Sequence, residues 1–148
     1  MNHFRSALYT AVLASLVGIS ACNKAPSSAD TSGLTAQLVG TSEVPPTTTQ
    51  GSGTLDGKFN PHTNELSYRV TYENLSGAPT AGHFHGPALA GENAGVAIPL
   101  ASDLGSPITG SATLTAPQAA ELMAGKWYVN LHTAANPDGE IRGQVTTH

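Results

Sequence analysis

The chain has 148 residues, of which only 11% are charged, and ten acidic residues against six Lys and Arg give a formal net charge of −4. That length suits one domain of ordinary size, and 16 Gly and 10 Pro with so little charge indicate short strands and many turns, not a helical surface or an acidic disordered tail. No basic cluster is present, which argues against nucleic acid and anionic lipid as partners.

The N-terminus reads as an export signal. Arg5 supplies the positive start, Ala7 to Val17 a short apolar run, and Ile19-Ser20-Ala21-Cys22 a small-residue end. Such a run is too short to span a bilayer. Ile-Ser-Ala-Cys resembles the bacterial lipobox, which implies that Cys22 is lipidated and heads the mature protein. The alternative is an ordinary signal peptide with a free thiol. Residues 1–21 are then the signal, residues 22–33 a flexible polar tether, and residues 34–148 the folded domain. An acyl anchor holds a protein to a membrane surface without spanning it. Asn23 after Cys22 is compatible with an outer-membrane, periplasm-facing location. Residues 22–148 keep five of the six basic and all ten acidic residues, a formal charge of −5.

The domain reads as strands separated by turns. Strands are expected at 35–39 and 53–59, with the Pro45-Pro46 pair between them in a loop or at a sheet edge, since proline donates no ladder hydrogen bond. Asn60-Pro61-His62-Thr63-Asn64 is a turn. Leu66, Tyr68, Val70 and Tyr72 then alternate with Ser67, Arg69, Thr71 and Glu73, the pattern of a half-buried antiparallel strand. A strand at 81–86 carries Gly82-His83-Phe84-His85-Gly86-Pro87, and a glycine-rich loop spans 87–95. The strand at 96–100 contains Pro99 and so belongs at an edge.

After a strand at 108–114, residues 115–125 read as the single short helix, capped by Thr115 and ended by Gly125. Strands at 127–133 and 140–147 flank the turn Asn136-Pro137-Asp138-Gly139. About eight short strands and one helix predict an all-β fold, an antiparallel immunoglobulin-like or Greek-key β-sandwich or flattened barrel.

Chemistry concentrates in the histidines. Alternation puts His83 and His85 on one strand face with Phe84 on the other. In Trp127 to His132, the residues Trp127, Val129 and Leu131 form an apolar face, while Tyr128, Asn130 and His132 lie opposite. His83, His85 and His132 are therefore candidate metal ligands. Neutral imidazoles suit copper, zinc or nickel, and three of them would leave one position open on zinc. The competing reading is that they hydrogen-bond to covering loops and hold no metal.

Glu140 and Arg142 are candidates to pair or to orient a histidine, against a plain solvated strand face. Asp138 reads as a turn former and His62 as an incidental turn residue. His3 leaves with the signal, and His148 is expected to be disordered. Glu43 can fix its loop, and no chemical role for it is legible. No Gly-x-Ser-x-Gly elbow, acid–base carboxylate pair or phosphate loop is recognisable, so catalysis is not evident.

Several segments together resemble the CHRD domain, the module named after the chordin proteins. They include Gly40 to Pro46, Leu66 to Val70 with Leu75-Ser76-Gly77, Gly82 to Pro87, Leu114 to Gln118, Tyr128 to Thr133 and Pro137 to Val145, in that order. The resemblance implies an immunoglobulin-like β-barrel distantly similar to copper/zinc superoxide dismutases, where a His-x-His strand and a later strand histidine help bind copper. Only His83, His85 and His132 occupy comparable positions. The bridging histidine, zinc loop and disulfide of those enzymes are not recognisable, which speaks against a two-metal dismutase.

The functional expectation is a lipid-anchored extracytoplasmic binding domain with an envelope protein or glycan partner. The alternative is a copper- or zinc-binding protein using the three histidines, with a metal-dependent redox enzyme less favoured. The sequence does not set an oligomeric state.

Overall fold

A computed structural model describes residues 31–148. The expected signal segment, Cys22 and tether residues 23–30 lie outside the described residues. The elements in chain order are β1 (Ser32–Val39), a 3-10 turn (Gly40–Ser42), β2 (Ser52–Asn60), β3 (Glu65–Glu73), β4 (Pro79–His85), β5 (Val96–Pro99) and β6 (Ile108–Thr113), followed by α1 (Ala116–Met123), β7 (Tyr128–Thr133), β8 (Ile141–Gln144) and β9 (Thr146–Thr147). All strand pairs are antiparallel, in the order β5-β4-β7-β8-β1-β2-β3-β6, with β9 also on β1. The sheet curls into a nearly closed barrel whose two ends in the pairing order are β5 and β6.

The alternation written into each strand decides which side faces the barrel interior. In β3, Leu66, Tyr68 and Val70 are buried, whereas the residues between them are exposed. Tyr72, expected to share that face, is only half-buried; it sits near the strand end and donates its hydroxyl to the Leu104 carbonyl at 2.8 Å. The same parity buries Phe84 from β4, Val129 and Leu131 from β7 and Ile141 from β8. Pro99 does fall on a terminal strand, where a missing donor costs least.

The helix forms where its caps are. Thr115 and Gln118 make a reciprocal capping box, Ala119 and Leu122 turn inward, and Gly125 at φ 69° ends it. At the β2–β3 turn the Asn60 side chain accepts from the His62 and Thr63 N–H groups, and Asn64 takes φ 54°.

The C-terminus departs from expectation in two ways. The single strand expected at 140–147 is broken at Val145, which turns into the core and donates to the Trp127 carbonyl at 2.9 Å. β8, before the break, pairs with β7 and meets β1 at Arg142 opposite Val39, whereas β9, after it, pairs with β1. His148, expected to be disordered, exchanges two backbone hydrogen bonds with Gly33 and extends the β1–β9 ladder.

Candidate metal centre

The strands carrying the histidines are neighbours. β4 and β7 pair with His83 opposite Asn130, His85 opposite Tyr128 and Ala81 opposite His132. Because Phe84 and Val129 are locked into the core, parity sends His83, His85, Tyr128, Asn130 and His132 to the opposite side of this ribbon. Arg142, opposite Asn130 on β8, shares that side. The three candidate ligands are brought together there: one ring nitrogen of each lies within 4.8 Å of the other two.

Their hydrogen bonds define which nitrogen is which. His132 Nδ1 donates to the Pro137 carbonyl at 2.9 Å, which turns its Nε2 toward His83 Nδ1 at 3.1 Å. His85 Nδ1 donates to the Ala94 carbonyl at 3.0 Å, and its Nε2 lies 3.1 Å from Asn130 Oδ1. Two of the three rings are thus oriented by a backbone carbonyl behind them, the usual way a metal-binding imidazole is held. Burial is the main reason His83 stays neutral below the ordinary histidine range, reinforced by His132 and His85. Burial likewise lowers His85, against the opposing pull of its bonds to Ala94 and Asn130.

The face is roofed, not open. His85 is 8% exposed, and the Tyr128 ring lies parallel to it with centroids 4.8 Å apart. The Arg142 guanidinium sits 3.3 Å from the Tyr128 ring centroid and donates to Glu92 O and to Asn93 Oδ1. These contacts lay the β4–β5 loop across the strands, and Asn93 reaches on to the Val44 carbonyl at 2.9 Å. His83 and His132 remain half-exposed, so the cluster keeps a route to solvent.

The expectation of a solvated face for Glu140 and Arg142 is corrected: they are 0% and 2% exposed. They do not serve each other. Arg142 holds the roof, whereas Glu140 accepts from Thr49 Oγ1, Thr133 Oγ1, Ser76 Oγ and the Ser76 N–H. Burial pushes Glu140 upward, but these donors outweigh it and bring its pKa down to about 2. It ties the loops after β1 and β3 to the end of β7, a structural task.

Glu43 is the residue that sequence reasoning passed over. It is 5% exposed, and its Oε1 is buried without a hydrogen-bond partner. Burial raises its pKa to about 7 despite Arg142 and Asn130, which pull the other way. Gly139, at φ 133°, packs so closely that a β-carbon there would strike the Glu43 carboxyl and crowd the Asn130 amide. The only sequence signal was an acid before Pro45-Pro46, with nothing local to show that it is buried. Asp138 lines a cleft of about 380 Å³ together with Glu43, His85, Tyr128 and Asn130. His62 remains in the β2–β3 turn, and His148 lies beside β1.

Fold and face together define a barrel-like all-β domain with an imidazole cluster on two adjacent strands. The chain belongs to the CHRD domain family, whose model matches residues 34–145. Neither the curated proteins nor the solved structures compared with it yield a match. Among the described residues, no helix is long and apolar enough to cross a membrane.

Proposed function

We propose that this protein is an extracytoplasmic binding protein, lipid-anchored through Cys22, whose His83–His85–His132 cluster takes a copper or zinc ion. The observation that carries the metal reading is the orientation of the rings. The Ala94 and Pro137 carbonyls accept from Nδ1 of His85 and His132, so that each ring turns its Nε2 to the shared face. Two nitrogens bound tetrahedrally to one ion at 2.0–2.1 Å stand about 3.4 Å apart. His83 Nδ1 and His132 Nε2, at 3.1 Å, are already near that spacing. Binding requires His83 to carry its proton on Nε2 and His85 to give up its contact with Asn130 Oδ1 for the ion. Three neutral nitrogens suit copper or zinc better than magnesium or calcium, which prefer oxygen. CHRD membership supports the extracellular binding-type role, and Ile19 to Cys22 supports the anchor.

Titration with copper and zinc, by calorimetry and electron paramagnetic resonance, tests the metal reading. The expected result is a one-to-one complex, with nitrogen hyperfine structure for Cu(II), lost in the triple variant His83→Ala/His85→Ala/His132→Ala. Equal affinity in that variant, or no binding tighter than about 10 μM (roughly −7 kcal/mol), refutes it. The bonds to Ala94 and Pro137 equally favour a second reading, in which the histidines pin loops of a module that binds an envelope protein or glycan. Absence of metal binding together with a captured envelope partner would select that reading.

A further inference from the structure

Asn130 sits at the centre of the histidine face. It is 3% exposed, lies opposite His83 on the β4–β7 ladder and shares its side of β7 with His132. Its Oδ1 stands 3.1 Å from His85 Nε2. Across the cluster, His83 Nδ1 and His132 Nε2 are also 3.1 Å apart, and one ring nitrogen of each histidine lies within 4.8 Å of the other two. The face thus presents two close pairs of atoms. Atoms bound tetrahedrally to one ion at about 2.0–2.1 Å stand about 3.4 Å apart. Each pair is therefore only a little short of one edge of such a set.

Hydrogen-bonding capacity explains why an ion fits between His85 and Asn130. An amide oxygen only accepts. His85 Nδ1 already faces the Ala94 carbonyl, so both ring nitrogens meet oxygens. In the neutral ring that a metal requires, one N–H serves one of these oxygens, and a cation at Nε2 supplies what the other contact lacks. The far end of the Asn130 amide is held as well. Its Nδ2 lies beside the Glu43 carboxyl, which offers an acceptor oxygen whether protonated or not, and this keeps Oδ1 on the histidine side. Other oxygens do not compete. The Tyr128 hydroxyl is bonded to the Ala94 backbone. Glu43 and Asp138 line the cleft beside His85, but among the described residues no carboxylate joins the group that the three histidines form.

We propose that Asn130 is the fourth ligand: its Oδ1 completes, with one nitrogen each from His83, His85 and His132, a closed four-coordinate site. This rests on the metal reading and adds a consequence to it. A site whose four positions all come from the protein leaves none open for a substrate. The ion is then held or carried here, not used for turnover.

A crystal structure of the zinc-loaded wild type tests it without any variant. Oδ1 of Asn130 should lie about 2.0–2.2 Å from the ion. A water in the fourth position, with Oδ1 beyond about 3 Å, would overturn the proposal. Asn130→Ala adds a test in solution. It should bind zinc at least about tenfold more weakly than the wild type, but so would loss of a residue that merely orients His85. Azide separates the two roles. Removing a ligand opens a position, so the Cu(II) form of Asn130→Ala should bind azide, read by its charge-transfer band, at least about tenfold more tightly than the Cu(II) wild type. Equal azide affinity, or equal zinc affinity, would overturn the fourth ligand and leave the three-histidine site standing. If Asn130→Ala does not fold, the zinc-loaded wild type still decides. A wild type that binds neither zinc nor copper refutes the metal reading, and the fourth ligand falls with it.

Discussion

Glu43 and Glu140 are both buried carboxylates near the same barrel end, yet their partners drive them in opposite directions. Glu140 receives hydroxyl and amide donors from Ser76, Thr49 and Thr133, which stabilise the charged form over the cost of burial. Its folded pKa is depressed to about 2, so its contribution is fully present above the unfolded value of 4.5 and is lost as pH falls from there through about 2. Glu140→Ala should cost about 3 kcal/mol in urea unfolding at pH 7, because it strands buried donors. Glu43 has the reverse linkage. Its folded pKa is raised to about 7, so its contribution is present below the unfolded 4.5 and is lost as pH rises through about 7. Thermal unfolding of Glu43→Gln should therefore gain on the wild type between pH 5 and pH 9. A constant difference across that range would show that Glu43 is ionised throughout.

The histidines carry a third pH dependence. His83 and His85 have folded values below the unfolded 6.5. Their stabilising effect as neutral rings is present above 6.5 and is lost as pH falls through the lower folded values. Metal affinity, which needs unprotonated nitrogen, should persist somewhat below pH 6.5 and then collapse. Copper titrations at descending pH check this, and a midpoint above 6.5 would contradict the neutral cluster.

At the scale of elements, the histidine strand depends on what its other face does. Phe84 is fully buried against Tyr68, with ring centroids 5.3 Å apart, and near Trp127. That packing sets the register that sends both flanking histidines outward. Gly86 closes the strand against the Trp127 indole, and a β-carbon there would collide with the ring. Gly86→Ala should lower stability by about 1–3 kcal/mol by overpacking. It should also weaken metal binding, since it disturbs the end of β4 next to His85. The helix offers a control outside the histidine strands: Thr115→Ala removes the capping box and should cost about 1 kcal/mol without altering metal affinity.

For the whole molecule, the site is a property of barrel closure. Seating β7 between β4 and β8 places Asn130 with His83 on one side and Arg142 on the other. The β4–β5 loop and the Glu43 segment, far apart in sequence, then meet over that face. An ion bound only by the folded state should stabilise the whole domain, by about 2.7 kcal/mol at a free concentration 100 times its Kd. Thermal unfolding with and without Cu(II) measures this. An unchanged midpoint in the wild type would leave the cluster as architecture.

The amino-acid sequence by itself determined the strand periods, the capped helix and the placing of His83, His85 and His132 on the non-core side of their own strands. Each of these follows from alternation or turn chemistry within about ten residues, where side-chain direction is dictated by the backbone. The resemblance among its motifs also pointed to the CHRD family that the model match establishes. Only the tertiary structure decided that β4 and β7 are neighbours, that the C-terminal strand breaks at Val145, and that the face opposite the core is roofed. Arg142 reads locally as an exposed strand charge and is instead buried over Tyr128. Glu43 reads as a loop acid and is instead a buried carboxyl beside Asn130, whose sequence position is 87 residues away. Burial and hydrogen-bond partners across such separations arise from loops meeting after the barrel closes, and no local pattern encodes them.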